Sequence, residues 1–175
     1  GGNNGYGINP PTTGVTFLNQ PLSKFLTYDN SFDSIKGNPV TGLHYYNYLR
    51  GIWKDGNPMV NNGFDGTIAA GTGTICNYLY PGLPELQQGW TEYSAGNHSD
   101  DRRGLGSTDI GTMNLGESFC LDVAWVSARD TNYLASLASL RLATQAMRNY
   151  YDTHNLGCAA QTTVATQHAI PSQSI

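Results

Sequence analysis

The sequence predicts a mainly β fold with some α: an antiparallel, sandwich-like β domain carrying a C-terminal amphipathic helix at about 132–154. Three observations carry that expectation. Only 13% of the 175 residues are charged, against about 25% in an ordinary soluble domain, and 21 Gly and 11 Tyr stand with many Asn, Thr and Ser in their place. Residues 117–126 (ESFCLDVAWV) alternate like a strand with two unlike faces. Residues 132–154 place Leu137, Leu140, Thr144, Met147 and Tyr151 on one helical stripe, widened by Leu134, Ala143 and Tyr150.

In chain order, residues 1–14 combine Gly, Asn and Pro-Pro and read as an extended arm or linker. Val15–Leu18 and Lys24–Tyr28 are short β-prone pieces, followed by a turn-rich stretch over residues 29–41. Leu43–Trp53 has apolar residues at intervals of three to four and is read as a short helix near 43–52, with an aromatic strand as the alternative. Asp55-Gly56 marks a tight turn between Trp53 and Met59. Residues 61–74 are a Gly-rich loop, Ile75–Tyr80 is a β candidate stopped by Pro81-Gly82, and residues 83–103 are irregular. Residues 104–113 are expected to pair with the 117–126 strand through a turn at Asn114–Glu117. In that strand Phe119, Leu121, Val123 and Trp125 are expected to face the core touched by the helix stripe.

Asp130-Thr131-Asn132 supplies capping oxygens for the helix, Ser136 and Arg141 mark its wet face, and Gly157 suits a left-handed residue past its end. Residues 15–157 are thus read as one β-rich domain, with 158–175 as a linker or terminal extended strand.

The net charge of −4 and the absence of any Lys/Arg run exclude the cationic stripe that nucleic-acid binding needs. No apolar run approaches the roughly 20 residues of a membrane span. The chain begins Gly1-Gly2-Asn3-Asn4 without Met, as expected of a mature or excised fragment. Three cysteines allow at most one bridge, for which Cys76 with Cys158 is the candidate, while Cys120 reads as a small buried hydrophobe.

Several motifs occur together: Tyr45–Met59 with its Trp-Lys-Asp-Gly segment, Tyr78–Gly82, Gly89–Asn97, Asp101-Arg102-Arg103, the Leu-Gly-Glu turn, Val-Ala-Trp-Val-Ser-Ala-Arg and the Leu-Ala-Ser helix start. In this order, and with Gly7–Pro11 and Phe25–Asn30 upstream, the sequence resembles a module of large secreted or cell-surface proteins of Bacteroidota that use type IX secretion. The resemblance covers most of residues 7–155 and implies an extracellular or outer-surface location. It implies no catalytic role. The acidic Asp-x-Asp-Gly stretch expected after residue 18 is not present. Asp33-Ser34-Ile35 resembles the O-glycosylation acceptor of these bacteria, making Ser34 a candidate glycosylation site.

Trp90, Tyr93 and Trp53 are candidates for a glycan-stacking platform, set against the alternative that such rings fill the core. Tyr46 is weighed with Trp53, on the core side. Asn97, Asp100 and Asp101 offer oxygens to calcium, the one cofactor considered. Glu92, His98, Asp100 and Asp101 offer acid–base groups, but a solvated loop with Asp101 paired to Arg102 or Arg103 accounts for them more simply. No G-x-S-x-G elbow, activated cysteine or phosphate loop stands in the sequence. The expected function is therefore a non-catalytic structural, adhesive or assembly module of a secreted bacterial protein. Its partners would be domains or subunits of the same surface assembly, joined by strand addition. A carbohydrate-binding module is the alternative, and a hydrolase accessory or catalytic domain the second.

Overall fold

A computed structural model describes residues 6–7, 9–61, 64–68, 73–154 and 156–158. The chain forms two compact units, where the sequence is read as one domain over 15–157. One unit comprises the chain up to Gln20 and from Thr112 onward, and the other Pro21–Gly111. Among the described residues the architecture is mixed α/β, with four strands in two small antiparallel sheets and two α-helices. Each strand has six residues and the helices have 8 and 22, so helix outweighs strand and the expectation of a mainly β chain is corrected.

In the first unit β1 (Thr12–Phe17) pairs antiparallel with β4 (Val123–Ala128), Thr12 opposite Ala128 and Phe17 opposite Val123. The arm expected over 1–14 therefore yields its last three residues to a strand. Helix α2 (Tyr133–His154), in the place expected for 132–154, packs on both strands. The Asn132 side chain accepts from Ala135 N–H at 3.0 Å and caps its first turn. Val126, Thr16 and Ser136 form the buried centre of this unit.

Three expectations are corrected here. Ser136, assigned to the wet face, is fully buried: its hydroxyl donates to the Asn132 carbonyl at 2.9 Å and accepts from Asp130 N–H at 3.0 Å, which satisfies a polar group out of water. The strand begins at Val123 rather than Glu117, because the chain before it is held otherwise. Glu117 closes a turn on Asn114 N–H at 2.7 Å, and the Asn19 side chain bonds Cys120 O and Asp122 N at 2.9 and 2.8 Å. Its faces are also reversed. Val126 is buried, while Trp125 is 76% exposed and Val123, Phe119 and Leu121 are also exposed. The helix side of the ribbon is its small-residue side, and a Cβ at Gly14 would already lie 3.3 Å from Leu140 Cδ2.

Cysteine pairing is corrected as well. Cys120 bonds to Cys158, and Cys76 is the free, half-buried thiol. Asp122 sits beside this bridge, accepting from Tyr151 Oη at 2.5 Å and Cys158 N–H at 3.0 Å. Gly157 is not left-handed; its lack of a side chain serves a close approach, since a Cβ there would meet Tyr151 Oη at 2.8 Å.

In the second unit β2 (Lys24–Asp29) pairs antiparallel with β3 (Arg102–Ser107). This replaces the hairpin expected between 104–113 and 117–126. Asp29 and Arg102 are direct register partners and form an ion pair, a cross-strand contact that favours this pairing. Helix α1 (Gly42–Leu49) is capped by Thr41 Oγ1 on His44 N–H at 3.2 Å. It ends at Gly51, φ +70, with Gly51 N–H on Tyr48 O and Ile52 N–H on Asn47 O, the paired bonds of a Schellman motif. Asp55-Gly56 makes the expected tight turn, with Trp53 N–H on Asn57 O at 2.8 Å. Ile75–Tyr80 forms only isolated bridges, Val60 with Ile75 and Phe25 with Tyr78.

Leu26, Tyr48, Trp53, Met59 and Leu79 form the core of this unit. Its two polar rings tether loops to that core. Tyr48 Oη donates to Gly37 O at 2.6 Å and Trp53 Nε1 to Gly66 O at 2.9 Å. Gly37 is required there, because a Cβ would come within 2.6 Å of the Asp33 backbone. Residues 159–175, the rest of the expected linker or terminal strand, lie outside the described residues, and no described helix is long and apolar enough to cross a membrane.

Candidate functional site

Burial takes Trp53 out of the expected aromatic platform. Trp53 is 1% exposed, its ring edge-on to Tyr48 with centroids 6.1 Å apart, so it is a core residue. Trp90 is half-buried and packs edge-on against Tyr80 at 4.8 Å, while Tyr93 is 82% exposed. Tyr46, expected in the core with Trp53, is exposed and lies under the Arg50 guanidinium.

The three residues named for calcium each make a hydrogen bond within the chain. Asn97 donates its side-chain amide to Tyr80 Oη at 2.6 Å, and Asp101 accepts from Asn30 Nδ2 at 2.5 Å. Asp100 caps Asp101 N–H at 2.8 Å. Among the described residues the one group of three His, Cys or acidic side chains close enough to share an ion is Cys120, Asp122 and Cys158, and its two sulfurs are spent in the disulfide. The pairing expected between Asp101 and an adjacent arginine is replaced too.

Arg102 instead bridges Asp29 and Glu92, and Lys36 bridges Asp29 and Asp65. These five charges join β2, β3 and three loop segments of the second unit. Glu92 Oε1 and Arg102 Nε lie 2.8 Å apart, close enough for an ion pair but without hydrogen-bond alignment. Burial raises the Glu92 pKa, and the attraction of Arg102 only partly offsets it. Asp65 is held below the usual carboxylate range by bonds from Thr67 and Lys36, which outweigh its own burial. Each acid touches a base and each of the two bases touches two acids, so the network serves cohesion.

Ser34 is exposed in a turn built by its neighbour: the Asp33 carboxylate accepts Ile35 and Lys36 N–H at 2.8 and 2.7 Å. Those bonds hold the Asp33 carboxyl below its ordinary pKa, the Lys36 amide contributing most and burial opposing.

In the first unit the functional feature is the β1–β4 ribbon. Leu18 N–H bonds Asp122 O at 2.8 Å, which fixes the alternation of the ladder. The amides of Thr16 and Gly14 then face β4, whereas those of Thr13, Val15 and Phe17 face outward. On β4, Val123, Trp125 and Ser127 face outward in the same way. Among the described residues no further strand pairs with either edge. Sequence alternation finds these residues but does not reveal that both edges are open. Lys24, Tyr46 and Arg50 line one cleft of the second unit and share no sequence signal, since only β2 and α1 bring them together. Comparison of the chain with family models, curated proteins and solved structures finds no match.

Proposed function

We propose that this chain is a non-catalytic module of an extracellular or outer-surface bacterial protein, and that it assembles by accepting a strand on the β1–β4 ribbon. The open pair of ribbon edges carries the reading. Outward-facing N–H and C=O groups are a template for another strand. Beside them Val15 and Trp125, direct cross-strand partners, offer an exposed apolar face. A disulfide agrees with an oxidising compartment, as does the resemblance to secreted modules of Bacteroidota. In this reading the sandwich-like sheet is completed by strands from a second copy or a neighbouring domain. Exposed Ser34 is the proposed O-glycan acceptor.

Val15→Pro tests the assembly. It deletes an outward N–H while sparing the ladder to β4. Sedimentation of the purified chain should show association that weakens at least tenfold in V15P, with helical circular dichroism unchanged. A strictly monomeric chain at high micromolar concentration, or association indifferent to V15P, would overturn the reading.

A further inference from the structure

The Pro21–Gly111 unit carries a cleft of about 510 Å³ between the end of α1, the start of β2 and the end of β3. That volume falls in the range of small-ligand sites, about 300–1,000 Å³. Two cations line it, and neither belongs to an ion pair among the described residues. Lys24 Nζ donates to the neutral Asn77 Oδ1 at 2.6 Å, and the Arg50 guanidinium sits 5.4 Å from the centroid of the Tyr46 ring. Among the described residues Asp109 is the only carboxylate on the wall, and its Oδ1 accepts from Gly111 N–H at 2.9 Å. The cleft thus has a net charge of +1 on a chain of net charge −4. Helix capping does not explain the cations, because the Leu49 carbonyl is taken by Ser107 Oγ at 2.6 Å and those of Asn47 and Tyr48 by backbone N–H groups.

The hydroxyls narrow the ligand. Ser107 spends its proton on Leu49 O and Thr108 spends its own on Pro21 O at 2.8 Å, so both oxygens face a ligand as acceptors. Sulfate consists only of acceptors and offers nothing to these two oxygens, and hydrogen phosphate brings a single donor for the pair. A sugar acid matches on three counts: a carboxylate for Arg50 and Lys24, hydroxyl donors for Ser107 and Thr108, and a C–H face for the exposed Tyr46 ring and Ile110. We infer that this cleft binds an acidic saccharide, with Arg50 as the carboxylate anchor and Tyr46 as the stacking surface. The site does not depend on assembly through the ribbon.

Calorimetric titration of the full chain with oligogalacturonate, oligoglucuronate and alginate oligomers tests it, with the methyl-esterified galacturonate oligomer and inorganic phosphate as controls. At least one uronate should bind saturably. Binding should weaken at least tenfold on esterification, with added salt, and in both Arg50→Gln and Tyr46→Ala, whose exposed side chains leave circular dichroism unchanged. No binding of any uronate, equal binding of the ester, displacement by phosphate at comparable affinity, or variants that bind like the parent would each overturn the proposal.

Discussion

Removing the Cys120–Cys158 bridge is the perturbation whose size follows most directly from the structure. The two residues are 38 apart in sequence, and the bridge fastens the chain beyond α2 to the segment leading into β4. In the chain-entropy account, opening a loop of that length returns about 13 cal/mol/K to the unfolded chain, or about 4 kcal/mol at 25 °C. The small buried centre of that unit leaves little to offset such a loss. The units report separately. Helix α2 supplies 22 residues to the 222 nm ellipticity against 8 from α1, whereas buried Trp53 lies in the other unit. In the Cys120→Ser/Cys158→Ser variant, urea titration should move the ellipticity midpoint down by about 2 M at an m of about 2 kcal/mol/M. The tryptophan fluorescence change is set by buried Trp53, since Trp125 of the first unit is already 76% exposed, and it should keep its midpoint. An unmoved ellipticity transition would refute the reasoning, as would peptide mapping of the oxidised protein that finds Cys76 joined to Cys158.

Three further outcomes follow from side-chain geometry. The hydrogen bond to Asp122 and its negative charge push the Tyr151 phenol up to about 12, from 10.0. The stabilising contribution of this bond is thus complete below pH 10 and is lost as pH rises through about 12. In Asp122→Asn, phenolate absorbance should show this tyrosine titrating nearer 10. Arg102→Met should destabilise the second unit by about 2 kcal/mol at pH 7, a figure held down by the 41% exposure of Glu92. Because the Glu92 pKa lies above 4.5 when folded, its protonation relieves the loss, and fluorescence-monitored unfolding should show a smaller deficit as pH falls through that raised value. Trp53→Ala should cost about 3–5 kcal/mol in the same assay, whereas Tyr93→Ala, at an 82% exposed site, should stay within about 0.5 kcal/mol.

What local sequence could say about this fold is bounded by what is local in it. Both helices are legible because their signals are adjacent: Asn132 and the spacing of Leu137 and Leu140 for α2, and the apolar intervals ending near Gly51 for α1. Strand pairing is not local. Thr12 meets Ala128 across most of the chain, and Arg102 chooses Asp29 over the nearer 117–126 segment. Alternation in Val123–Ala128 shows two faces without saying which is covered. Hydrophobicity favours Trp125, yet the helix takes the side of Gly14, Ala124 and Val126, where small residues allow close approach. The same reasoning explains the misassigned cysteines. Burial of Cys120 follows only if it lies in a strand, and Asn19 and Glu117 keep that strand from starting there.

A chain with few charges must spend them carefully, and the Pro21–Gly111 unit shows how. It has one two-stranded ribbon and a short helix, so most of its backbone lacks a ladder. Cohesion comes instead from aromatic donors that reach loop carbonyls and from the Asp65–Lys36–Asp29–Arg102–Glu92 chain, in which each base touches two acids. Outside that chain Lys54 and Arg103 bond neutral acceptors, Asp33 O and Asn38 Oδ1, while Lys24 and Arg50 stand together. They share one cleft, no described acid pairs with either, and the helix end beside them is already capped. Structural need accounts for Lys36 and Arg102 but gives these two only neutral neighbours, Asn77 and the Tyr46 ring, so a ligand carboxylate is the group their arrangement still lacks.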